Sequence, residues 1–499
     1  MNTRDLNNSR RFDVHTWSKH PESNTFVDAL WPEIRQRFNP PSKWGRKQRS
    51  PNKKQFKVLL LDLFLCWTED PEKSLGVPMS PGDYKEGSIY NALSISPKTI
   101  EIINALHDAK LIEWHKGSEA ARKTTRIWPT QKLVDCFKAA TLSAEEVLRH
   151  HNKEVIVLNA KVVKQSDTAE DWATKSIEYQ DADHPSIVKW RSDLQAYNEL
   201  LENTYVDVGS LVDPWVLRKV KTRKGLKIQK IPIDQSHKFV RRIFYRGSWE
   251  LGGRFHGGFW QQIGSDIRRD ILINEHRTVE VDYKGMHVSI ACALEDFDLT
   301  FDPYVVPLML PEFTEAEQRD VVKGLVLMAI NAQTLKKAYT AFRGEQDKGS
   351  KAKKLKDVQL QALLEEVTTQ IPILEHYIGR DKGVELMRID GEITSKVINH
   401  FTANRVPILS VHDSYVVLAG KDHELIETMN KATSEVLGRK INLEAKGVGL
   451  GSLQTMTNMD PLDQLTKARN LEALKKIESE VVRTNEYNQR VRAWMERNR

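Results

Sequence analysis

From about residue 54 onward, apolar residues recur either every third or fourth position or every second one, and the two periods predict helices and strands respectively. Phe56 to Trp67 is almost continuously apolar and predicts a buried helix. Ser96-Pro97-Lys98-Thr99 is a helix-start signal, with Ser as cap and Pro at the first position. Ile100, Ile103, Leu106 and Ala109 then mark one helical face. The helix runs into LIEWHKG, an amphipathic strand, then the polar turn GSEAARK, a second strand TTRIWPT, and a third helix over Gln131–Ala140. Residues 1–50 read as loosely ordered, and 141–180 as a polar linker with some helix. Ser186 to Glu202 is helical, with Val188, Trp190, Leu194, Leu200 and Leu201 apolar. From 278 onward strands and helices alternate, which predicts an α+β domain. Leu465 to Arg499 is a charged helical tail with sparse apolar positions, suited to docking or to solvation.

Helices followed by a two-stranded basic ribbon resemble a winged-helix domain over 52–142. The resemblance makes Pro97–Ala109 the recognition helix and places Lys116, Arg122, Lys123 and Arg126 on the wing, where they would meet a nucleic-acid backbone. Winged helices also serve as structural or protein-binding modules, and Thr99, Glu101 and Asn104 on the exposed face leave that choice open.

Composition narrows the class. The 499 residues predict two to four domains, and 40% hydrophobic content suits a soluble protein. There is no uninterrupted apolar run of roughly 18–20 residues, so no membrane partner is expected. The start, MNTRDLNNSRRFDVH, lacks the apolar region of a secretory signal. Cys66, Cys136 and Cys292 form no CxxC pair, which predicts neither a disulfide framework nor a structural zinc site and fits the cytoplasm. The net charge of +7 is concentrated in three clusters: Lys43 to Lys57, Arg218 to Lys230, and Lys351 to Lys356. Such clusters suit phosphate backbones, and a solvated face explains any one of them equally well.

Three stretches carry the chemistry. In TVEVDYKGMHVSIACAL, Val279, Val281 and Tyr283 alternate with Thr278, Glu280 and Asp282, and helical spacing follows Gly285. Asp282 therefore sits at a strand-to-helix corner, as a ligand group or a plain helix cap. In RVPILSVHDSYVVLAG, two apolar runs flank His412-Asp413-Ser414 and predict a β-hairpin with His-Asp at its tip. A carboxylate in such surroundings calls for a compensating cation, a metal being the obvious one. Between them, QRDVVKGLVLMAINAQTLKKAY places Arg319 and Lys323 one helical turn apart, with Asn331 a third of a turn round. A fork and a point charge so spaced suit a triphosphate, or simply make a basic surface helix.

Taken in order, the carboxylate strand, the Arg-x3-Lys helix and the HD hairpin resemble motifs A, B and C of the A-family DNA polymerases and the single-subunit, phage-type RNA polymerases. GGRFHGGFWQQI resembles the segment of both groups whose arginine reads the minor-groove edge near the primer terminus, here Arg254, with Gln262 as a further nucleic-acid contact. INLEAKGVGLGSL resembles the closing strand of the A-family enzymes. The resemblance implies a right-hand palm over 241–455 with fingers at about 312–380, preceded by a linker and thumb-like region over 143–240 and followed by a tail over 456–499. It implies two Mg2+ ions, Mn2+ being the alternative, on Asp282, Asp413 and the Tyr283 carbonyl. Arg319, Lys323 and Asn331 would meet the incoming nucleotide, and Lys323 would protonate the departing pyrophosphate. His412 would contact the primer-terminal phosphate, or merely stabilise the hairpin. The expected partners are a DNA template and primer, nucleoside triphosphates, and a replication or single-strand-binding protein.

Three departures qualify the likeness. His287 stands where A-family DNA polymerases carry a Glu that gates the sugar, and Asn331 where both groups usually carry Tyr. The chain shows no dispersed carboxylate set for a proofreading exonuclease; Asp70-Pro71-Glu72 stands alone. A compact, exonuclease-lacking DNA polymerase of a phage or mobile element is the expectation. An RNA polymerase or primase of the same superfamily, and a DNA-binding initiator with an inactive palm, are the alternatives.

Overall fold

The computed structural model describes residues 4–38, 52–117, 124–148, 152–163, 172–222, 225–446 and 481–497. The chain is α+β and divides into two compact units. The first comprises residues 1–154, 214–239 and 494–499, and the second 155–213 and 240–493.

The first unit is built on α2 (Lys53–Glu69), whose residues from Gln55 to Cys66 are all buried. Its start is fixed by a capping box: the Asn52 side chain accepts from the Gln55 amide at 2.9 Å, and the Gln55 side chain accepts from the Asn52 amide at 3.4 Å. The N-terminal segment is more ordered than its composition predicted. It contributes β1 (Ser9–Arg11) and α1 (Pro21–Arg35), which buries Phe26, Val27, Leu30 and Ile34. A helical stripe was present there, set among polar residues and a mid-helix Pro32. The sheet runs β1–β2–β4–β3, with β2 at Ser74–Val77, β3 at Ile112–His115 and β4 at Thr125–Pro129. Helix α3 (Thr99–Asp108) precedes the β3–β4 hairpin and α4 (Gln131–Ala139) follows it. A separate antiparallel ribbon, β8 (Trp215–Thr222) with β9 (Gly225–Pro232), completes this unit.

The second unit holds two sheets. One runs β11–β10–β5–β6, with β5 at Ile156–Val163, β6 at Trp172–Ser176, β10 at Val240–Phe244 and β11 at Gly252–Gly257. Strands β5 and β6 replace the linker expected over 141–180: Val155 to Leu158 is an apolar run that pairs with β10. The other sheet runs β14–β15–β13–β12–β7, with β16 also on β13. Its central strand is β13 (His276–Tyr283), flanked by β15 (Ser414–Leu418) and β16 (Leu443–Lys446). Strand β14 is Ile408–Val411, β12 Ile271–Ile273 and β7 Val206–Val208. Helices α5 (Ile187–Glu202), α6 (Ser265–Arg268), α7 (Met286–Leu294), α8 (Glu315–Asn331), α9 (Leu335–Glu345), α10 (Asp357–Gln370), α11 (Gly383–Ala403) and α12 (Asp422–Leu437) belong to this unit.

The tail docks rather than standing free. Its described part carries a helix over Asn485–Arg497, where Tyr487 and Val491 are buried and Arg490 Nε donates to Asp207 at 2.8 Å. Among the described residues, no helix is long and apolar enough to cross a membrane.

Candidate active site

Strand β13 carries Asp282 to the edge of a cleft of about 780 Å3. The strand is followed by Gly285 at φ +56°, a left-handed turn that a glycine adopts without strain, and α7 begins directly after it. A side chain at 285 would also press on the Tyr304 hydroxyl, 3.1 Å from where its Cβ would lie.

Strands β14 and β15 form a hairpin closed by His412 and Asp413, with His412 at φ +56°. Register puts Ser414 opposite Asp282, and the Tyr283 amide donates to the Asp413 carbonyl at 3.2 Å. The hairpin is fixed from behind: the Trp260 indole and the Gln261 amide both donate to the Ser410 carbonyl, at 3.0 and 2.9 Å. The two aspartates, 131 positions apart in sequence, are thus held one residue out of register on neighbouring strands. A third acid on the same strand, Glu280, is closed off. Arg268 donates to its two oxygens at 2.8 and 2.9 Å, and the Ser414 hydroxyl donates at 2.6 Å.

Helix α8 faces this edge across the cleft. Its start is set by a Thr314/Glu317 capping box. Val321, Val322, Leu325, Val326 and Ala329 are buried, leaving Arg319, Lys323, Leu327 and Asn331 to line the cleft. Lys323 is exposed and makes no hydrogen bond or ion pair with the described residues. Arg319 is held by Asp302, to which Nε and Nη2 each lie at 2.7 Å. The Asn331 amide donates to the Leu327 carbonyl at 2.8 Å and packs where a side chain on Gly383 would stand.

The third wall is a buried charge relay. Arg254 on β11 donates through Nε to Asp390 and through Nη2 to His287 Nε2 at 2.8 Å. Asp390 is fully buried on α11, next to Gly391. Any side chain at 391 would overlap the Gly253 carbonyl, so this glycine lets the helix seat directly on β11 and delivers Asp390 to Arg254. Burial, then the Arg254 charge, pushes His287 down to about 3. It is therefore neutral, and because Nε2 accepts from Arg254, Nδ1 carries the proton. That buried Nδ1 has no hydrogen-bond partner. Asp413 is pushed above the usual carboxylate range by burial and by Asp390, while Arg254, a backbone amide and Lys323 pull it back. Its outer edge still meets solvent in the cleft. His412 stands edge-on to His256, with ring centres 5.8 Å apart, and desolvation followed by Arg254 and Arg268 lowers its pKa.

The structure thus gathers Asp282, Asp413, Tyr283, His287, Arg254, His412, Arg319, Lys323 and Asn331 around one cavity. The Tyr283 ring is turned away, its hydroxyl donating to the Met429 carbonyl at 2.8 Å, so only its backbone serves the cleft. Gln262 ends a short turn of helix and does not line the cavity. Of the residues expected on the wing, Lys116 stacks over Trp114 at 4.6 Å. Arg126 is half-buried and donates to the Thr124 and Leu6 carbonyls, whereas Arg122 and Lys123 lie outside the described residues. The closing strand is described only to Lys446.

Sequence reasoning missed Asp390 and Asp302. Asp390 had a signal: it falls four residues after Leu386 and three before Ile393, on the apolar face of its helix. Asp302 had none, because it acts from a loop.

Asp282 and Asp413, with the Tyr283 backbone beside them, are donors that fit a hard divalent cation. Among the described residues, no cluster of three or more His, Cys, Asp or Glu is spaced to enclose a metal by itself. Two carboxylates completed by substrate phosphates is how magnesium is commonly held.

Comparison with known proteins adds little to this geometry. No protein-family model matches the chain, and no curated protein is significantly similar to it. Among solved structures, the polymerase domain of Pol1 from M. smegmatis, in complex with a DNA primer-template and dNTP, is similar over 42% of this chain and 47% of that one. The identity is 12% and the TM-score 0.29, so the chain spans about half of that structure's length and the likeness carries no argument.

Proposed function

We propose that the chain is a template-directed nucleotidyltransferase, and specifically a DNA polymerase using two magnesium ions. One observation carries the reading: a single cleft sets Asp282 and Asp413, on adjacent strands, against Arg319 and Lys323, one turn apart on a facing helix. Two acids alone would suit a nuclease equally well. The cationic helix opposite them gives a triphosphate somewhere to bind.

Asp282, Asp413 and the Tyr283 carbonyl would hold the ions, which when bound lower the pKa of a 3′-hydroxyl and stabilise a leaving pyrophosphate. The remaining steps belong to the chain. Arg319 and Lys323 bind the phosphates, and Lys323, having no partner among the described residues, is placed to donate a proton to the leaving group. Arg254, pinned by Asp390, lines the cleft, where it contacts the primer terminus; His412 meets the terminal phosphate. Neutral His287 occupies volume beside Arg254 and favours the deoxy sugar by excluding a 2′-hydroxyl.

In the first unit, the strand order β2–β4–β3, with α3 ahead of the hairpin, supports the winged-helix reading and a duplex-binding role. The decisive experiment is a primer-extension matrix: primed and unprimed templates, each with deoxy- or ribonucleotides. Mg2+-dependent extension of a primed template with deoxynucleotides is expected. Extension from unprimed templates with ribonucleotides would make the enzyme a primase or RNA polymerase, and no incorporation at all would remove the polymerase reading.

A further inference from the structure

We infer that Asp302 is an internal competitor for the phosphate site, a specificity-determining residue that occupies the Arg319 fork until a polyphosphate displaces it. The inference rests on reading the cleft as a nucleotide site, and it concerns a residue that reading does not use.

The geometry is that of a stand-in ligand. Arg319 directs two nitrogens, Nε and Nη2, at one oxygen of Asp302, each at 2.7 Å. That contact occupies the Nε/Nη2 edge of the guanidinium, the edge a phosphate group would need. The other carboxylate oxygen accepts from the Tyr304 amide at 2.9 Å, so the side chain is aimed by its own loop rather than caught by chance. Tyr304 is buried, and its ring lies 5.8 Å beneath the Arg319 guanidinium. The Asp302 carboxylate and the Tyr304 ring therefore both hold Arg319 in place. Lys323, one turn further along, is left open.

Exposure decides how firmly the latch holds. The Arg319 and Asp302 side chains keep 39% and 36% of their surface in solvent. Ion pairs this open change an equilibrium constant by no more than about fivefold. A ligand with a single anionic group that takes Arg319 from Asp302 exchanges one carboxylate contact for a similar one and gains little. A triphosphate engages Lys323 and Arg319 together, and its added charge displaces Asp302. The same competition works in reverse after reaction, when Asp302 reclaims Arg319 and speeds the departure of pyrophosphate.

Inorganic tripolyphosphate without divalent metal is the probe, titrated calorimetrically into the full chain. Asp302→Asn keeps an acceptor for the Tyr304 amide while removing the charge. It is expected to tighten tripolyphosphate about threefold to fivefold, the upper end of what such a pair allows, and to strengthen product inhibition by pyrophosphate. Glu444→Gln removes another carboxylate that lines the cleft without touching Arg319, and is expected to change affinity less than twofold. Equal tightening by both variants would reduce the effect to general electrostatics and overturn the proposal, as would no tightening by Asp302→Asn. Arg319→Ala is expected to weaken binding at least tenfold. If it does not, Arg319 is no phosphate ligand and the reading of the cleft fails with it. If Arg319→Ala weakens binding and Asp302→Asn leaves it unchanged, only the competitor fails.

Discussion

Asp62 in the first unit and Asp413 in the second are carboxylates set among apolar neighbours, and what surrounds them differs. Asp62 is fully buried and closed by donors: Arg10 Nη2 at 2.8 Å, the Thr16 hydroxyl at 2.7 Å and the Asp13 amide at 3.0 Å. Burial and, more weakly, the Asp13 carboxylate push its pKa up, and Arg10, the Asp13 amide and the Thr16 hydroxyl pull it back. Asp413 is also pushed up by burial, but its second perturbation comes from another acid, Asp390, and its open side faces the cavity. The first arrangement joins the N-terminal segment to the core helix and is complete. The second is short of positive charge, and it sits where a ligand can supply some. A buried acid alone therefore says nothing about function; what closes it does.

Substitution should separate the two cleanly. Asp282→Asn or Asp413→Asn is expected to lose several kcal/mol of transition-state stabilisation, at least about a thousandfold in incorporation rate. The thermal midpoint should hold or rise, because unfavourable buried charge has been removed. Asp62→Ala should do the reverse. It strands the Arg10 guanidinium without its main partner and costs about 3–5 kcal/mol, lowering the first unit's transition by roughly 10 °C. Calorimetry alongside primer extension reads both. Retained incorporation in either cleft variant would end the comparison.

The next effect probes why the cleft is shaped as it is. Asp390→Ala releases Arg254, and a misplacement of about an ångström at such a site costs on the order of a hundredfold. That loss is expected in KM for the primed template, with tripolyphosphate affinity unchanged, since Arg319 and Lys323 lie on a different helix. Asp390→Asn, which can still accept from Arg254, should recover part of it. A loss shared equally by both substrates would make Asp390 a packing residue.

Much of the cleft was legible because its parts lie on elements with clear periodicity. Alternation placed Asp282 at the end of a strand, two apolar runs placed Asp413 at a hairpin tip, and three-to-four spacing put Arg319 and Lys323 on one face. The partners that tune them were not legible, since pairing across more than a hundred residues leaves no local pattern: Arg254 with Asp390, and Ser414 with Glu280. Small elements set among polar residues were missed for a related reason. Helix α1 and strand β5 gain their stability from tertiary burial, not from local propensity.

The smallest effect distinguishes the units by acid. In the second unit His287 is held neutral down to about 3 and His256 to about 4, in each case first by burial. The unfolded chain binds these protons near 6.5, so below that pH it takes up protons the folded chain refuses. Their contribution to stability is full above 6.5 and falls as the pH drops, by up to about 1.4 kcal/mol per pH unit for each histidine. In the first unit the sign places the loss elsewhere. Against the upward push of burial, His15 and Lys153 hold Asp13 below its ordinary 3.8, and that stability is lost only at pH below that value. Between pH 6.5 and 5, then, these groups weaken the second unit alone. His287→Gln, whose amide oxygen can still accept from Arg254, should flatten the second unit's acid limb in denaturant titrations and leave the first unit's midpoint where it was. An unchanged slope would mean that His287 is already protonated in the fold, and that Arg254 does not donate to it.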